Sequence, residues 1–160
     1  MTDQAKTRRL QDTLTIAGSA VIAFSVWSIA KIGLFLAFVD ENALRWLLGQ
    51  IGIDNESLAF TVYVSLALIA LIDLGVRAYV GLSARAEGRG KKRSAFYLVV
   101  AAIIAILNAS SLYAVAWGSA LEPSLLSMVV SITIEATAIA ALVLVVFSSI
   151  GLRRMGKKTG

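Results

Sequence analysis

Three side chains able to bind ions or carry protons fall inside apolar runs of this chain: Lys31, Asn108 and Glu135. An ammonium offers three donors, a carboxylate only acceptors, and a carboxamide offers both. Together they make either a neutralised staple or a binding site. A second pair, Asp73 and Arg77, stands one helical turn apart with the acid first, the order that suits an i, i+4 ion pair. Here Asp73 reads as an ion or proton carboxylate tuned by Arg77, or as half of a self-neutralised pair, with Arg77 snorkelling toward the headgroups.

The spans that must hold these groups follow from length. A hydrocarbon core about 30 Å thick needs about 20 helical residues. Four runs qualify: about 14–39, 58–80, 95–117 and 125–152. The expected fold is therefore all-α, a polytopic integral membrane protein built as a four-transmembrane-helix bundle, one membrane domain over residues 1–160. Helical rise puts Lys31, Asn108 and Glu135 about 12, 13 and 15 Å from the outer ends of their spans, nearly one level. Asp73 falls about 22 Å in. A charge at a helix centre costs roughly 2.5–3.5 kcal/mol on insertion scales, so these groups are expected to face the bundle and pair. Ser25 and Ser28 precede Lys31 at helical spacing, Ser127 and Ser131 precede Glu135, and Ser111 follows Asn108. Small and hydroxyl residues let membrane helices approach and bond across. Three readings of the Lys31–Glu135 pair result: a structural staple, a contact with another protein's membrane helices, or a coupling site for protons, cations or a small substrate.

Composition narrows the chemistry. The 160 residues are 58% hydrophobic and 16% charged, with no Cys and no His. Mean hydropathy is +0.81, and the apolar share exceeds the roughly 45–50% of soluble domains. Thiolate metal sites, Fe–S clusters and thiol redox chemistry are excluded. The usual metal and haem ligand is missing too. No cofactor and no metal site is expected, and no nucleotide-binding motif is present. The net charge of +5 does not point to nucleic acid, because the basic residues flank apolar spans.

Orientation follows from those basic residues. Lys6, Arg8 and Arg9 precede the first span, and Arg85, Arg89, Lys91, Lys92 and Arg93 lie between the second and third. Arg153, Arg154, Lys157 and Lys158 follow the fourth, whereas the other two connections hold Arg45 alone. The positive-inside rule then puts both termini and the 81–94 connection in the cytoplasm. That connection reads as a solvated loop. Its KKR run reads as a topology signal first and as a contact for anionic headgroups second. In the 40–57 segment, Leu44, Leu47, Leu48 and Ile51 recur at helical spacing, so a short external amphipathic helix is expected there, with Trp46 at headgroup depth. The tyrosines near span ends, Tyr97 among them, read as interface anchors.

Three functions compete. A non-enzymatic accessory, scaffold or assembly subunit fits the small size and minimal loops. A small oligomeric transporter or channel would place Glu135, Lys31, Asn108 and Asp73 on its path. A lipid-modifying enzyme would rely on external carboxylates that have no motif spacing. The expected partners are the bilayer and either further copies or a larger membrane protein, and the expected location is the cytoplasmic membrane.

Overall fold

The computed structural model describes residues 3–38, 56–117 and 125–156. Four helices fill them: α1 (Asp3–Phe38), α2 (Glu56–Gly88), α3 (Phe96–Trp117) and α4 (Leu125–Gly156). The expected external helix, over about 41–51, lies wholly outside the described residues. Three helices are long and apolar enough to cross a membrane, over Gln4–Ala30, Ala67–Gly88 and Ile132–Met155. α3 is apolar and shorter, over Phe96–Ser110.

The chain divides into two compact units. Met1–Phe24 and Arg77–Gly160 make the larger, and Ser25–Val76 the smaller. In the larger unit the core comes from one stripe per helix: Leu14, Ala17 and Val21 of α1; Val80 and Ala84 of α2; Tyr97, Ala101 and Ile104 of α3; and Ala138, Ala141, Leu142 and Val145 of α4. Spacings of three, four and seven residues keep each stripe on one face. The opposite faces are apolar as well, with Ile16, Ile106 and Phe147 exposed. Within this unit α1 and α2 run antiparallel, with Thr15 against Gly88 and Gly18 against Gly81, and so do α2 and α3, with Glu87 against Tyr97 and Arg77 against Asn108. Leu10 of α1 reaches Gly151 of α4, and Thr15 reaches Gly88 of α2, so all four helices share one end of the unit.

The α1–α2 crossing depends on two glycines. A Cβ on Gly18 would come within 2.7 Å of the Gly81 carbonyl oxygen, and one on Gly81 equally close to the Gly18 oxygen. Backbone meets backbone there, which only a residue without a side chain permits.

α2 also continues through Gly88, whereas its span was expected to end near residue 80 and a loop to follow. Ser83, Ala84 and Gly88 are buried within that extension. Its polar composition hides a packed face of small residues. α1 likewise begins at Asp3, well before the expected span.

Candidate functional site

The polar centre of the larger unit forms where the helices meet, around Glu87. α2 carries Glu87 one residue before its last, and α3 carries Tyr97 one residue after its first, so both belong to the end shared by all four helices. Ser149 and Arg153 stand at i and i+4 on α4, on one face. The Glu87 carboxylate accepts from Arg153 twice, from Nε at 2.8 Å onto Oε1 and from Nη2 at 2.9 Å onto Oε2. The Tyr97 hydroxyl donates to Oε2 at 2.5 Å, and the Ser149 hydroxyl to Oε1 at 2.9 Å. A carboxylate has about four acceptor positions, and all are used. The Tyr97 and Ser149 oxygens lie 3.0 Å apart, each spending its one proton on Glu87.

Forked guanidinium–carboxylate contacts are among the strongest hydrogen bonds in proteins. The Glu87 side chain is 10% exposed and that of Arg153 30%, so water screens this pair only in part. The guanidinium also stands 5.9 Å from the Tyr97 ring centroid, within cation–π range. Tyr97, Ser149 and the flanking Ser148 are buried. One carboxylate thereby ties α2, α3 and α4 together.

The same Arg153 holds the α2–α3 connection. Its Nη2 donates to the carbonyls of Arg93 at 3.0 Å and Ser94 at 3.3 Å. The connection is fixed at both ends besides. Lys91 N–H donates to the Ala86 carbonyl and Gly90 N–H to that of Glu87, the paired bonds of a Schellman cap. Gly90 has φ of +82°, the left-handed conformation this cap requires. At the far end the Ser94 hydroxyl accepts from Phe96 N–H and caps α3.

The second polar contact lies about three turns from that end. Arg77 Nη2 donates to Asn108 Oδ1 at 2.9 Å, bridging α2 and α3. Arg77 therefore points across the bundle rather than only toward its rim. Asn108 is buried, and its Nδ2 has no acceptor among the described residues. A buried amide donor left open costs about 1–3 kcal/mol.

The remaining sequence candidates are spread over both units. Lys31 lies on α1, with its side chain outside the described residues, so its pairing with Glu135 lies outside them too. Glu135 is half-buried on α4. Asp73 is half-buried on α2, in the smaller unit. Ser25 is buried and Ser28 half-buried, while the side chains of Ser111, Ser127 and Ser131 lie outside the described residues. Among the described residues, no group of carboxylates is placed to hold a metal ion.

Sequence reasoning passed over Glu87, Ser149 and the bonding role of Tyr97. The available signal was that Glu87 is the only acid between residues 81 and 94, set among five cations. No protein-family model, no curated protein and no solved structure matches the chain.

Proposed function

We propose that the chain is a non-enzymatic integral subunit of the cytoplasmic membrane, with four spans and both termini in the cytoplasm. It acts as an accessory or assembly partner of a larger membrane protein or of further copies of itself. The saturation of Glu87 carries this reading. A carboxylate that catalyses or carries a proton needs a free acceptor position for its substrate, and Glu87 spends all of its positions on fastening helices. The spacing of basic residues supports the orientation. Apolar outer faces on all four helices suit lipid or a neighbouring membrane helix.

One observation favours a second reading, a small transporter or channel. The open Asn108 Nδ2 lies beside the Arg77 guanidinium in a buried setting. A buried open donor there suits an acceptor group on a permeating solute.

Mild extraction from the source membrane followed by native mass spectrometry separates the two. The subunit reading expects a complex of fixed stoichiometry, and reconstituted vesicles without flux. A homo-oligomer whose flux disappears on Asn108→Leu, with its fold intact, overturns that reading in favour of transport.

A further inference from the structure

We propose that the connection between α2 and α3 is a preformed binding site for the phosphate-bearing headgroup of an anionic phospholipid. The proposal rests on the membrane-spanning reading above and adds a ligand class to it. Arg89, Lys91, Lys92 and Arg93 are all exposed on this connection. Among the described residues, none of them is paired with a carboxylate. The one acid in the segment, Glu87, is turned inward onto Arg153, Tyr97 and Ser149 and neutralises none of the four.

The backbone beneath these cations is held at three places. The Schellman cap at Gly90 sets the exit from α2, the Ser94 cap sets the entry to α3, and Arg153 holds the carbonyls of Arg93 and Ser94 between them. A loop ordered before binding loses little conformational freedom when a ligand arrives. Guanidinium forks and ammonium point charges are the side chains that bind phosphate oxygens. A connection between two membrane helices lies at headgroup depth, where anionic lipid is concentrated. Lys6, Arg8, Arg9 and Arg154 are exposed at the same end of the unit and widen the positive collar.

The test uses the full chain incorporated into phosphatidylcholine nanodiscs. Phosphatidylglycerol is titrated in, and retained lipid is counted by native mass spectrometry. The wild type is expected to retain phosphatidylglycerol over phosphatidylcholine of equal chain length. The K91Q/K92Q/R93Q variant, with thermal stability matched in phosphatidylcholine, is expected to retain it about 100-fold more weakly. Wild-type retention is also expected to fall as salt rises, a readout that stands if the variant fails to fold. Equal retention of the two lipids, or an unaffected variant, overturns the proposal. Displacement of the lipid by millimolar inorganic phosphate assigns the site to free anions and overturns it as well. Failure of the chain to enter phosphatidylcholine discs instead sinks the membrane reading itself.

Discussion

At Glu87, four donors share one carboxylate, so removing any one of them has a calculable cost. Tyr97→Phe deletes a single hydroxyl donor and keeps the buried ring. The expected loss is about 1.5–3 kcal/mol of unfolding free energy, the range for a hydrogen bond to a charged group. Denaturant titration in bicelles checks it, and an unchanged midpoint would mean that the hydroxyl contributes nothing. Asn108 was legible in the sequence as a buried polar group, but its partner was not. Depth counted from apolar runs sent Arg77 to the rim. The helix ends correct that count: Arg77 and Asn108 each stand about three turns from the ends of their antiparallel helices, and so meet. Glu87 was illegible for a different reason. An acid among arginines, lysines and glycines has the composition of a solvated loop, and only the path of α2 turns it inward.

α2 shows at the scale of the element how one residue type carries opposite costs. Gly81 lies against the α1 backbone, whereas Gly75 has nothing within 4 Å of where its Cβ would be. Gly81→Ala is therefore expected to destabilise the protein by about 1–3 kcal/mol, because backbone atoms cannot step aside as a side chain can. Gly75→Ala is expected to stabilise it by about 0.5–1 kcal/mol, since alanine restricts the unfolded chain in an open helical position. Thermal melts of the two variants side by side decide this, and a shift of the same sign in both would contradict the close crossing. The four helices were readable from four apolar runs. The length of α2 was not, because Ser83, Ala84 and Gly88 pack through smallness rather than hydrophobicity, which a hydropathy reading does not register.

Across the larger unit, the buried stripes are mostly small and in places polar, while the outward faces carry large apolar side chains. That arrangement supports the proposed membrane setting, because exposed apolar faces suit lipid better than water. The absence of cysteine makes the orientation directly testable. In intact cells, Asn55→Cys is expected to react with a membrane-impermeant maleimide, and Lys92→Cys only after permeabilisation. Equal labelling of both before permeabilisation would refute the proposed topology. The central claim is that the polar groups fasten the bundle, and the most direct measurement is a double-mutant cycle on Glu87 and Arg153. Glu87→Met and Arg153→Met alone are each expected to lower the unfolding free energy by about 2–4 kcal/mol, because each strands a half-buried charge. The double variant is expected to recover most of that loss, leaving a large coupling energy. Strictly additive losses, or single variants as stable as the wild type, would contradict the account.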